Sequence, residues 1–143
     1  MNRDEIEYFK KSFMTKTIHL VINAFIFLAI YLLSKTTFQF IYLFEWTARR
    51  YYFFIWIIVI IFIIREYFKS AYIVTLTNIF ALFFGHFFGQ YIRNIRMKQI
   101  VPGIDPEIAY QLSRNDGWWI WIVLVLLSII IGYYIGRKND YID

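Results

Sequence analysis

Four long apolar runs, separated by short stretches that hold the charges, dominate the pattern of this chain. The runs cover residues 17–34, 51–65, 71–92 and 117–136. A helix needs about 20 apolar residues to cross the roughly 30 Å hydrocarbon core of a bilayer. A lone strand would leave its backbone polar groups without partners in lipid. The pattern therefore predicts an all-α, polytopic membrane protein. Its four transmembrane helices form a bundle, with residues 1–143 as one integral membrane domain.

The segments outside these runs predict two further helices at the membrane surface. Residues 1–16 form an amphipathic N-terminal segment, which fits either a separate surface helix or a polar leader that extends the first span. Residues 94–116 form an interfacial loop between spans 3 and 4. Within this loop Asp105 is followed by Pro106 and an acidic residue. That order is typical of a helix start, so we expect a short interfacial helix there.

The second run is short for a span. It has about 14 residues between Arg50 and Arg65, or roughly 21 Å of helix at 1.5 Å per residue. We therefore expect the two arginines to extend toward the headgroups, or the bilayer to thin around this helix. The aromatic-rich residues 38–44 before it are too few to span and are predicted to lie in the interface.

The third run has a polar stripe on one side. At 100° per residue, one half of the helix holds the small and polar side chains Ala71, Thr75, Asn78, Ala81, Gly85, His86, Gly89, Gln90 and Arg93. Large apolar side chains occupy the other half. A membrane helix with such a stripe is expected to contact protein as well as lipid. The stripe therefore predicts the packing seam of the bundle.

Two asparagines inside the spans are predicted to meet. Asn23 and Asn78 lie at a similar depth if both termini are on the same side. An amide in hydrocarbon is costly without a partner, and a hydrogen bond between helices contributes on the order of 1 kcal/mol. We expect an Asn23–Asn78 bond, with a transport or ion site as the alternative.

Small residues recur every four positions on the last two spans. These are Ala81, Gly85 and Gly89 on span 3, and Ser128, Gly132 and Gly136 on span 4. Such patterns allow two helix backbones to approach closely. By depth, an antiparallel pair would match only around Ala81 and Ser128. The two groups therefore need not face each other, and one is expected to be free for a second copy or another protein.

A second polar feature of span 3 lies toward its end. His86, Gln90 and Arg93 could extend a polar track to the membrane surface. The histidine is interpreted as neutral and bonded to a neighbouring helix, with proton sensing or relay as the alternative.

Composition supports a membrane location. The chain is 60% hydrophobic and only 17% charged, too little charge for the polar shell of a soluble domain. Its net charge of +5 is interpreted as lysines and arginines near phospholipid headgroups, not as a nucleic-acid site. The frequent Ile, Phe, Tyr, Lys and Asn indicate an AT-rich bacterial genome. No removable signal peptide is evident, and we expect the bacterial cytoplasmic membrane.

The positive-inside rule barely orients the chain. With four spans, eight positive residues fall on the side of the termini and seven on the other. We expect both termini to be cytoplasmic, because the first helix usually dominates and a basic pair follows the last span.

The sequence points to association rather than catalysis. It has no cysteine, no acidic residue inside a predicted span, and no phosphate-binding or metal-binding motif. We therefore expect no enzymatic activity, cofactor or metal. The chain is interpreted as a subunit, an assembly factor or an immunity-like partner. It would form homo- or hetero-oligomers in the lipid bilayer through helix–helix association, with the stripe of span 3 and the amphipathic loop of residues 94–116 as its contact surfaces. The alternative is a small oligomeric transporter or channel with a polar path along span 3.

Overall fold

The computed structural model describes residues 3–139, and all regular structure within this range is helical. In chain order the helices are α1 (Arg3–Lys35), α2 (Tyr42–Arg50), α3 (Tyr52–Ile64), α4 (Phe68–Met97), α5 (Pro106–Ser113) and α6 (Gly117–Asn139). The all-α expectation is confirmed.

Three of these helices, α1, α4 and α6, are long and apolar enough to cross a membrane by themselves. Helices α2 and α3 pass the same test only together, and their axes are bent by 59° at the break between them. The described chain therefore has three such helices, or four spans if the bent pair is one span.

The N-terminal segment is not a separate helix over its described part. Helix α1 runs without a break over Arg3–Lys35, and this range contains neither glycine nor proline to interrupt it. Of the two interpretations of this segment, the described residues 3–16 have the leader that extends the first helix.

Helix α2 forms the later part of the aromatic-rich connection before the second span, and the chain bends where α2 meets α3. Helix α3 has 13 residues, or about 20 Å at 1.5 Å per residue, and the nine-residue α2 precedes it at an angle. At the bend, the ring of Tyr51 lies 4.3 Å from that of Trp46 and 5.7 Å from that of Trp121 on α6. This aromatic packing holds the bend against α6. Helix α2 was not predicted from the sequence.

Helix α4 is central, because it contacts each of the other five helices. Its buried residues recur every three or four positions, as expected for one packed stripe. They are Ser70, Ala71, Val74, Thr75, Asn78, Ala81, Leu82, Gly85 and Gly89. Large side chains such as Leu76, Phe80 and Phe87 are exposed and suit contact with lipid.

The most extensive contact in the bundle joins α4 to α6. Toward the end of α4, Gly85 and Gly89 lie against Gly117, the first residue of α6. A Cβ built on Gly85 would stand 2.7 Å from the carbonyl oxygen of Gly117. Near the start of α4, Ser70 lies against Gly132. The two helices are therefore antiparallel, and their backbones touch where glycine removes the side chain.

This register corrects the one expected from depth. Pairing of Gly85 with Gly117 places Ala81 and Ser128 at different levels of the helix pair. Gly136 lies against the ring of Tyr67, just before α4. The small residues of both helices thus line opposite ends of one interface. They face the chain's own helices. Gly117 has no side chain, so the backbone of α6 can lie directly against Gly85 and Gly89 of α4.

The two ends of the bundle carry different groups. At one end, called the terminal end, Lys16 of α1 and the last turns of α6 meet the α3–α4 turn. At the other, called the α5 end, α2, the last turns of α4, α5 and the start of α6 lie together. The start of α1 and the end of α6 therefore lie on the same side.

Replacing Gly117 with alanine should destabilise the α4–α6 pair, because the added methyl group would collide with the carbonyl oxygen of Gly85. Overpacking of this kind costs about 1–3 kcal/mol. Gly132→Ala is the matched control on the same helix, since its Cβ would meet Ser70 Cβ at 3.4 Å. The measurement is the thermal unfolding midpoint in detergent. Equal midpoints for the two variants would contradict this packing.

Candidate functional site

The two buried asparagines bond to different helices and not to each other. The hydroxyl of Thr75 on α4 donates to Oδ1 of Asn23 on α1 at 2.7 Å. Three residues later, Oδ1 of Asn78 accepts the indole N–H of Trp121 on α6 at 3.0 Å. All four side chains are buried. The expected Asn23–Asn78 bond is not formed, because Asn78 faces α6 while Thr75, one turn earlier, faces α1.

The two amides differ in how fully they are bonded. Nδ2 of Asn23 also donates to the carbonyl of His19, one turn earlier, at 2.9 Å. Nδ2 of Asn78 is buried, and no acceptor within the described chain lies in reach. An unpaired polar group is costly in an apolar environment. The bond to Trp121 is therefore the contact that offsets the burial of Asn78.

Two serine hydroxyls add links between helices that the sequence analysis did not single out. Ser70 donates to the carbonyl oxygen of Gly132 at 2.6 Å, which joins α4 to α6. The hydroxyl of Ser34 lies 3.1 Å from that of Tyr52, which joins α1 to α3. Both serines are buried. The sequence signal for each was its position: Ser70 directly precedes the polar stripe of α4, and Ser34 lies at helical spacing from Asn23 and Ile30 on α1.

The small residues predicted as contact positions are all buried within the chain. They are Ala81, Gly85, Gly89, Ser128, Gly132 and Gly136. The hydroxyl of Ser128 donates to the carbonyl of Val125 in its own helix. Because the chain's own helices cover these positions, they present no open surface to another protein.

The proposed polar track occupies the last turns of α4. His86, Gln90 and Arg93 are half-buried there, and the ring of His86 lies 6.4 Å from that of Phe44 on α2. Within residues 3–139, no hydrogen bond joins these three side chains. Asn78 faces α6 instead. The structure thus places the three residues on one helix without connecting them to Asn78.

At the terminal end, the turn between α3 and α4 is tied to α1. The carboxylate of Glu66 lies 2.9 Å from Nζ of Lys16 and accepts a hydrogen bond from Ser12 at 2.7 Å. These two bonds hold the pKa of Glu66 below its usual value. One turn further along α1, Nδ1 of His19 lies 2.9 Å from the hydroxyl of Tyr72. These contacts attach the extended first helix to α4.

At the α5 end, one carboxylate holds two arginines. Oδ2 of Asp116 lies 2.9 Å from Arg96 on α4, and Oδ1 lies 3.0 Å from Nε of Arg114. Arg96 also donates to the carbonyl oxygen of Arg114. Burial raises the pKa of Asp116, but the bonds from both arginines outweigh it, and the net pKa lies below the usual value. The predicted interfacial loop is thereby anchored to α4.

Asp105 caps α5, as its side chain accepts a hydrogen bond from the backbone N–H of Glu107.

Two cavities adjoin this anchored loop. The larger has a volume of about 500 Å³ and is lined by Tyr42, Trp46, Tyr110, Arg114, Asn115 and Trp118. The smaller, of about 240 Å³, is lined by Arg96, Gln111, Arg114 and Asp116. Arg114 borders both. Aromatic and cationic groups therefore converge at the α5 end.

A third opening, called the lateral groove, lies between α1, α2 and α3. It has a volume of about 480 Å³. Ala24 and Ala48 contribute small side chains to its wall, and Leu28, Tyr31 and Phe53 contribute large, exposed ones. The groove is mainly apolar and opens beside α1.

No group of three or more histidine, aspartate or glutamate side chains within the described range is arranged to hold a metal ion. Comparison of the chain with models of known protein families, with curated proteins and with solved structures gave no match.

Trp121→Phe should destabilise the bundle, because it removes the hydrogen bond to Asn78 and leaves that buried amide with no partner. Hydrogen bonds between membrane helices are worth about 1 kcal/mol. Trp119→Phe is the matched control, since Trp119 is exposed on the same helix. The measurement is the concentration of sodium dodecyl sulfate at which half of the protein is unfolded. If this concentration is the same for both variants and the wild type, the hydrogen bond contributes nothing to stability.

Acid should loosen the attachment of α1 to the α3–α4 turn. The lowered pKa of Glu66 means that its stabilisation is full above the unfolded-state pKa and is lost as the pH falls through the folded-state pKa. Glu66 is exposed, so the effect stays below about 1 kcal/mol. Wild type and Glu66→Gln should differ in unfolding midpoint at pH 7 and converge at acidic pH. If the two unfolding midpoints still differ at acidic pH, the ion pair of Glu66 with Lys16 is not the cause of the difference.

Proposed function

We propose that this chain is a non-enzymatic, multi-pass membrane protein that acts by lateral association with a transmembrane helix of another protein. It would serve as a subunit, an assembly factor or an immunity-like partner in a bacterial cytoplasmic membrane. The bent α2–α3 pair would form the remaining span, giving four spans with both termini in the cytoplasm.

The observation that supports this proposal best is the lateral groove. Its walls combine Ala24 and Ala48 with the exposed apolar side chains of Leu28 and Phe53. Small residues let a second helix approach closely, and close approach provides the dispersion contacts that drive association in lipid. A groove of this chemistry suits an apolar helix.

The way α1 packs supports the same conclusion. Helix α1 contacts α2, α3 and α4, but each contact is much smaller than that between α4 and α6. Many of its large side chains are exposed, among them Val21, Phe25 and Leu32. The least enclosed long helix thus borders the groove, where a partner would bury more of it.

The internal polar contacts favour association over transport. Asn23 and Thr75 bond to each other, and Asn78 bonds to Trp121, so these groups hold the bundle together. The residues of the alternative polar path, such as His86, are separate from Asn78 and border none of the three openings described above. A contact surface in the lateral groove therefore replaces the stripe of α4, which the chain itself covers.

Ala24→Leu should reduce association with a partner, because the larger side chain fills the groove. A photo-reactive residue at position 53, inside the groove, would be cross-linked in native membranes. We expect an adduct with a second polypeptide that falls several-fold in the Ala24→Leu variant. Mass spectrometry of the adduct separates another protein from a second copy of this chain.

Ala29→Leu is the matched control, since Ala29 is an exposed alanine of α1 outside the groove. A second probe at Phe87, on the exposed side of α4, tests for non-specific capture. Cross-linking that is equal at both probe positions, or unaffected by Ala24→Leu, would refute the groove as the contact surface.

A further inference from the structure

The larger cavity at the α5 end has the chemistry of a binding site, and it is distinct from the lateral groove. Four aromatic side chains line it: Trp46 and Tyr42 from α2, Trp118 from α6 and Tyr110 from α5. The rings of Trp46 and Trp118 lie 6.0 Å apart, and those of Trp46 and Tyr42 are stacked at 6.4 Å. Three helices thus build one aromatic wall.

Arg114 supplies the positive charge in this cavity. Its Nε bonds to Asp116, while the structure shows no acceptor for its terminal amino groups within the described residues. The side chain is 53% exposed. The guanidinium is therefore positioned by one bond and can still donate two hydrogen bonds to a ligand. Its planar fork suits the oxygens of a phosphate.

The surrounding charge favours an anion. Arg96 and Arg114 share the single carboxylate of Asp116, so these three side chains together carry one net positive charge, and Arg114 borders the larger cavity. Nε of Arg96 is buried and has no acceptor in the described part of the chain. An anionic group beside Arg114 would complete this charge balance.

Size and position narrow the class of ligand. About 500 Å³ exceeds what a phosphate ion fills and lies in the usual range for small organic ligands. Tryptophan and tyrosine lie preferentially at the headgroup level of a bilayer. α5 presents the apolar Ile108 and Tyr110 at its surface. The aromatic wall can receive the less polar part of a phosphate ester while Arg114 binds the phosphate.

We propose that this cavity binds a phosphate ester, with the phosphate on Arg114 and the organic part between the aromatic side chains. A membrane source is an anionic phospholipid headgroup that enters from the interface. A soluble source is a small organic phosphate. Both share the same recognition chemistry.

Native mass spectrometry of the full chain in detergent tests the site with dioleoyl phosphatidylglycerol as the probe. We expect one molecule of this lipid to be retained more strongly than any other lipid molecules bound to the protein. Arg114→Gln should weaken this retention about tenfold, as expected for the loss of a charge-assisted hydrogen bond. Lys98→Gln is the matched control, because Lys98 is an exposed cation at the same end outside the cavity.

A second variant is needed as a control for local unfolding, because Arg114→Gln also removes a hydrogen bond to Asp116. Tyr110 is exposed and lines the cavity without a bond to that anchor, so Tyr110→Leu should lower retention while the anchor stays intact. Displacement by glycerol phosphate identifies a soluble phosphate ester, and retention despite it identifies the lipid. Equal retention by the wild type and both cavity variants would overturn the site.

Discussion

Close approach of α4 and α6 is the constraint on which the rest of the bundle depends. In lipid there is little hydrophobic gain from bringing two apolar helices together, so packing relies on dispersion contacts and hydrogen bonds. Gly85 meets Gly117 at one end of the pair, and Ser70 bonds to the carbonyl of Gly132 at the other. Two such points, far apart along the helices, fix both the distance and the register of α6 on α4.

The buried polar groups then determine where α1 lies. Asn78 is directed to Trp121 of α6, which leaves Thr75 to meet Asn23 of α1. These side chains are three residues apart on α4, which separates them by about 60° around the helix axis, and each meets a different neighbouring helix. One polar stripe thus positions a helix on each side of α4. These contacts make the part of the stripe around Thr75 and Asn78 a structural element of the bundle.

Two surfaces at the edge of the bundle are open to other molecules: the lateral groove and the larger cavity at the α5 end. The lateral groove is apolar and borders α1, the long helix that the chain encloses least. The α5-end cavity is aromatic and cationic, and it lies beside the ion pairs of Asp116. One suits a transmembrane helix and the other a phosphate ester. Their chemistry differs, so they can be tested independently.

The sequence by itself determined the helical class, the packed stripe of α4 and the start of α5 at Asp105. These follow from apolar run length, from the 3.6-residue period and from local capping, all of which act within one segment. Periodicity shows which side of a helix is packed, but not which helix packs there or at what level. The tertiary structure alone therefore decided that Asn78 meets Trp121 instead of Asn23. It also decided that Gly117 receives Gly85, and that α2 and α3 bend around Tyr51, because each depends on contacts between segments distant in sequence.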